Sequence, residues 1–197
     1  MVEKTTGEYT ITIVSANEKE IINFKEIGYP FSEIQVCYSI ILKSVVTNTI
    51  KRINVVGNRH NSTTITNKKV YCSPEHIIVG YENEVSCFSI PELSILWQTK
   101  VDEMECFEVV PYKNEIIAHG GHSITRLNAD GKIVWQRNGL DLFLTPNNSA
   151  NFFMDNDFVV VRDWRRRKYI FNFNGDRVKP YSIRYVSKRL KKMVSLK

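Results

Sequence analysis

The feature that most constrains this chain is a strand pattern that recurs with nearly constant spacing. One copy reads His76-Ile77-Ile78-Val79-Gly80, then Val85-Ser86-Cys87-Phe88, then Ser94-Ile95-Leu96-Trp97-Gln98. The next reads Glu115-Ile116-Ile117-Ala118-His119, then Ile124-Thr125-Arg126-Leu127, then Lys132-Ile133-Val134-Trp135-Gln136. Trp135 follows Trp97 by 38 residues, and Ile116 follows Ile77 by 39. A third copy, Asp157 to Val161, Tyr169 to Phe171 and Gly175 to Val178, lacks the tryptophan. Short strands recurring every ~40 residues, about four to a repeat, cannot each bury a face alone. They are stable when stacked on neighbours, as propeller blades are.

Within the second copy the spacing predicts strands over 105–110, 114–119, 123–128 and 132–137. Asp130-Gly131 marks the last hairpin, because both residue types tolerate positive φ, and Asn174-Gly175 repeats the signal. Trp97 and Trp135 fall at equivalent points on the fourth strands, where a large ring is expected to be buried in the wedge between sheets. The Asp-Gly-x-x-x-Trp pattern of Asp130, Gly131 and Trp135 resembles quinoprotein-like (PQQ-like) propeller repeats over roughly residues 70–178. The resemblance implies the architecture. The quinone cofactor and calcium-binding acidic centre of that family's enzymes are not carried over, because the chain lacks their length and their acidic cluster.

The first 69 residues are β-like but less regular. Tyr9-Thr10-Ile11-Thr12-Ile13 alternates at period two. Residues 18–27 fit strand or helix equally, 34–46 reads as two strands and 50–56 as another, while 61–67 reads as a loop or exposed edge. The expectation is one all-β domain over 1–197, a small or incomplete β-propeller of four to five antiparallel blades with a short C-terminal basic helix. That helix is expected in 180–197, where Val186, Leu190 and Met193 form an apolar stripe.

The net charge of +6 invites a nucleic-acid reading. The excess sits in the tail, however. Arg184, Lys188, Arg189, Lys191, Lys192 and Lys197 face no acid there, and residues 1–179 are balanced. Met1 to Thr6 carries no apolar leader, and no run approaches the ~18 apolar residues of a membrane span. Cys37, Cys72, Cys87 and Cys106 show no C-x-x-C spacing and read as reduced thiols. Together these give the expectation of a cytoplasmic protein.

No catalytic motif stands out, so the chain is read as a non-enzyme without cofactor or metal. His119-Gly120-Gly121-His122 has no third ligand at metal spacing, and Ser123 beside His122 would point to the opposite face of a strand. The sharpest local feature is Asp163-Trp164-Arg165-Arg166-Arg167-Lys168. The repeat places it on the same hairpin as Tyr81 in the first copy and His119 and His122 in the second. Tryptophan and arginine dominate interface hot spots, so Trp164, Arg165, Arg166, Arg167, Tyr81, His119 and His122 are the expected partner-binding residues. A small single-domain binding module of this kind resembles in type the immunity proteins that bacteria pair with secreted toxins. The expected partner is therefore a toxin domain. Nucleic-acid binding through Arg165–Lys168 and the tail is the alternative.

Overall fold

The computed structural model describes residues 1–15, 34–58, 64–144, 151–155 and 158–178. These residues form fifteen β-strands in four antiparallel sheets. Sheet A holds β1 (Val2–Thr6), β2 (Tyr9–Ser15), β3 (Ile34–Ser44) and β4 (Ile50–Asn58). Sheet B holds β5 (Val70–Cys72), β6 (His76–Tyr81), β7 (Glu84–Ser89) and β8 (Ile95–Lys100). Sheet C holds β9 (Cys106–Tyr112), β10 (Glu115–Gly120), β11 (Ser123–Leu127) and β12 (Ile133–Asn138). Sheet D holds β13 (Phe152–Asp155), β14 (Phe158–Arg162) and β15 (Lys168–Asn172), and a single bridge from Phe171 to Arg177 stands for its fourth strand. Each sheet is a meander in chain order, as the repeat predicts.

Between sheets lie separate cores. Ile11, Ile13, Tyr38, Ile40, Leu42, Ile77, Val79 and Phe88 join A to B. Ile78, Val85, Cys87, Val109, Ile116 and Leu127 join B to C, while Ile117, Ile124, Trp135, Val159, Val161 and Phe171 join C to D. Adjacent strand residues therefore serve different cores: Ile77 faces A and Ile78 faces C, and Ile116 and Ile117 divide the same way. Such two-sided burial explains why these strands read as continuous apolar runs rather than alternating ones. The fold is propeller-like.

The tryptophans show how one sheet is keyed to the next. Trp97 Nε1 donates to the Ala129 carbonyl of sheet C at 3.0 Å, and Trp135 Nε1 donates to the Phe173 carbonyl of sheet D at 2.8 Å. Each indole lies over a turn glycine, Gly131 or Gly175; a Cβ on Gly175 would stand 2.8 Å from Trp135 Cγ. The residue two places on repeats the link, with Thr99 Oγ1 donating to the Gly131 carbonyl at 2.6 Å and Arg137 Nε to the Gly175 carbonyl at 2.7 Å. Register shifts beside Cys87 and Arg126 are the β-bulges that aim both rings at the next sheet.

Four expectations change. The Asp130-Gly131 hairpin forms, but only Gly131 (φ 75°) has positive φ; Gly131 N–H donates to Asn128, which makes a tight turn followed by one left-handed residue. In place of the two strands expected over 34–46, residues 34–44 form one long strand, β3, because pairing with both β2 and β4 keeps it continuous, and Val45 and Val46 enter the turn that follows. The irregular N-terminal region contains a four-stranded sheet of its own, including the unanticipated β1. Trp135 is buried as expected, whereas Trp97 is only half-buried. No α-helix occurs among the described residues, and the helix expected in 180–197 lies outside them, as does the 18–27 segment.

Candidate functional site

One end of the molecule is woven from three hairpins and two inter-sheet connections. The β6–β7 hairpin accepts hydrogen bonds from the following connection: the Asn83 carbonyl from Val101 N–H, and the Glu82 carbonyl from Cys106 N–H. That connection reaches the β10–β11 hairpin through Gly121 N–H to the Glu105 carbonyl at 2.9 Å. The next connection repeats the arrangement, with Phe143 N–H donating to Gly121 at 2.7 Å and Trp164 N–H donating to Leu142 at 2.7 Å. Tyr81, His122 and Trp164 thus belong to one end, as the repeat predicts.

The β14–β15 hairpin is held by a buried carboxylate. Asp163 accepts Arg167 N–H at 2.9 Å, Arg167 Nε–H at 2.6 Å and the Tyr169 hydroxyl at 2.9 Å. Burial pushes its carboxyl up, but those hydrogen bonds outweigh burial and hold it below the usual aspartate value. With the backbone fixed, the tip presents Trp164, half its surface exposed, and the exposed Arg165 and Arg166. Arg165 reaches Asp141 at 3.1 Å with its side chain 74% exposed, a rim ion pair that water largely screens. Arg167 turns inward, bridging Asp163 and Asp141, so it holds the hairpin rather than facing a partner.

Asp102 has the corresponding part at the β10–β11 hairpin. It is buried and accepts His122 N–H at 2.9 Å, Ser123 N–H at 2.7 Å and the Ser123 hydroxyl at 2.8 Å. A Cβ on Gly120 would collide with this carboxylate, which is why glycine stands there. Ser123 is thereby committed to Asp102 within the buried interior.

The two histidines, three residues apart, part company. His122 is exposed at the hairpin tip. His119 is 2% exposed, its ring stacked on Phe152 at 4.7 Å and edge-on to Phe107, with Nε2 against the Phe143 carbonyl at 3.2 Å. Burial, the largest influence, depresses its pKa to about 4. His119 is accordingly a core residue of the end and offers no surface to a partner. Tyr81 is half-buried with its ring on Tyr38, centroids 5.1 Å apart. Two exposed apolar residues that sequence reasoning missed, Met104 and Leu140, lie on the connections flanking these hairpins. Neither carries a sequence signal, because each sits in an irregular segment between strands.

The described cysteines are core groups. Burial pushes Cys106 up to about 12 and Cys72 and Cys87 to about 11, so all three remain thiols near neutral pH. No group of three metal-ligating side chains occurs among the described residues. No helix among them is long and apolar enough to cross a membrane.

Neither a family model nor a curated protein matches this sequence. Among solved structures, the computationally designed Ika8 protein superposes with TM-score 0.56 at 8% identity, over 87% of this chain and 45% of Ika8. This likeness concerns the fold. BamB from Moraxella catarrhalis (TM-score 0.45, 12% identity, 74% of this chain and 42% of BamB) and the designed Ika4 protein (TM-score 0.45, 10% identity, 68% and 79%) are more distant. The chain spans less than half the length of Ika8 and of BamB.

Proposed function

We propose that this chain is a non-catalytic protein-binding module that docks a protein partner on its hairpin end, and that the partner is a bacterial toxin domain which it neutralises by covering. The observation that carries the binding reading is Trp164, half exposed on a hairpin whose backbone Asp163 has already fixed. A large ring held at a rigid tip loses little conformational freedom on docking, which is the property of a hot-spot anchor. Met104 and Leu140 add exposed apolar surface, and Arg165 and Arg166 add charge at the rim. That combination suits a partner with an apolar pocket ringed by carboxylates. The toxin assignment rests on the balanced charge of residues 1–179 and on the exposed Trp164 tip.

A search of the neighbouring genes for a toxin-like domain, followed by calorimetry of its binding, tests both parts. Trp164→Ala should weaken the complex by about 2 kcal/mol or more, roughly thirtyfold. Arg165→Ala with Arg166→Ala should act mainly on association rate and its salt dependence. Unchanged affinity in both variants would remove this end as the docking surface.

Nucleic-acid binding is the second reading. Arg165 and Arg167 already meet Asp141 and Asp163, which weakens the hairpin as a phosphate site. It predicts loss in proportion to the basic residues removed, whichever are chosen, with log affinity falling steeply against log salt.

A further inference from the structure

At the opposite end, a cleft of about 380 Å³ opens between sheets B and C. Its floor is Ile78, Cys87 and Ile116, and Trp97 and Tyr71 form its walls. The corresponding region between sheets C and D is filled. There Tyr112 stacks on Phe173 with centroids 3.6 Å apart and planes 4° from parallel, and Arg126 reaches both Glu115 and the Phe173 carbonyl.

The register shows what replaces these groups. Tyr71 pairs with Ile78 as Val110 pairs with Ile117, so Ser73 occupies the place of Tyr112 one sheet earlier. Cys87 pairs with Trp97 as Arg126 pairs with Trp135, so Cys87 occupies the place of Arg126. Trp97 donates to Ala129 as Trp135 donates to Phe173, so Ala129 occupies the place of Phe173. Ser73, Cys87 and Ala129 all line the cleft. Three large side chains have become three small ones, and the volume of a stacked aromatic pair has been left open. Tyr71, in place of Val110, changes in the other direction, as does Ile116 in place of Val159 by a single methylene.

We propose that this cleft is a binding site for a small planar nitrogen heterocycle of one or two rings, seated where the neighbouring junction places its own Tyr112–Phe173 stack. Its volume falls in the range of small-molecule sites, roughly 300–1,000 Å³. Aromatic walls over an apolar floor favour a flat ring, since offset stacking adds to the area it buries. The rim carries Glu75, a carboxylate that can accept from a ring N–H, while the Ser73 hydroxyl beside it already accepts the His76 N–H at 3.0 Å. The Glu115 carboxylate, also at the rim, is already taken by Arg126. This site is separate from the hairpin end and does not depend on how that end works.

Indole tests the assignment, with binding followed by calorimetry and by melting temperature. The wild-type chain should bind indole saturably and melt roughly 3 °C higher when the site is nearly filled. Ala129→Phe, at an exposed turn, and the double variant Ser73→Tyr/Ala129→Phe rebuild the neighbouring junction's stack. Both should fold and bind indole at least tenfold more weakly. Trp164→Ala should bind it as wild type does. Absence of saturable binding by wild type, equal affinity in the filled variants, or loss of binding in Trp164→Ala would each overturn the proposal.

Discussion

The junction between sheets A and B differs from the two that follow, although at each one a turn ending in a residue of positive φ meets the preceding sheet. In each sheet a residue with positive φ precedes the fourth strand by two positions: Asn48 (56°), Leu93 (59°), Gly131 (75°) and Gly175 (80°). Where this residue is glycine, the preceding sheet lays a tryptophan over it. At the A–B junction the position is a buried leucine, and the fourth strand of sheet A offers aliphatics, Ile53 and Val55, instead of a tryptophan. The backbone explains the change. β8 and β12 carry a bulge just before their tryptophans, whereas β4 pairs evenly with β3 from Ile50 as far as Val55. A Leu in the left-handed region costs roughly 1–2 kcal/mol, offset here by burial of its side chain in the A–B core.

The largest expected effect comes from removing the ring where it is most buried. Trp135→Ala should cost about 4 kcal/mol by chemical denaturation, because it empties the C–D junction and leaves the Phe173 carbonyl without its donor. Trp97→Ala, at a half-buried site, should cost about half as much. Equal costs would break the distinction between the two tryptophans.

Acid should sharpen the contrast next. His119 belongs to the C–D side, and its pKa of about 4 in the folded protein lies below the 6.5 of a free histidine. Between those values the unfolded chain binds more protons, so stability is full above about pH 6.5 and falls as pH drops towards 4. The loss should reach about 3 kcal/mol, and His119→Leu should flatten that part of the stability–pH curve. A curve unchanged by the substitution would mean that His119 does not carry the acid sensitivity.

Leu93→Gly comes third. It relieves the left-handed strain but empties the A–B junction, for a net cost of about 2 kcal/mol. A gain in stability would show that the leucine is not the counterpart of the indole. The smallest effect is a coupling. Gly131→Leu should be less damaging in a Trp97→Ile background than in wild type, by about 1 kcal/mol in a double-mutant cycle. Additive costs would separate the ring from the glycine.

How much of this was legible in the sequence depended on whether the deciding contacts were local. The spacing of Trp97 and Trp135, the turn glycines and the apolar runs located sheets B and C nearly residue by residue. The Trp164 hairpin was found for the same reason, as its place follows from the repeat. Sheet A was obscure because its last turn carries Asn48 and its fourth strand Ile53 and Val55 where sheet C carries Gly131 and Trp135, so no repeated residue marks it. The part of the site that was misplaced turns on His119, which reads like its neighbour His122 in a His-Gly-Gly-His run.

By itself the sequence determined that this chain forms short antiparallel strands in stacked sheets, because strand period, turn chemistry and repeat length are properties of neighbouring residues. Only the tertiary structure decided which of two histidines meets solvent, which arginine of three turns inward, and that one junction is filled by Tyr112 and Phe173 while the next is left open by Ser73 and Ala129. Those outcomes depend on what the adjoining sheet or connection places opposite each side chain, and residues roughly 40 positions away in the chain supply it.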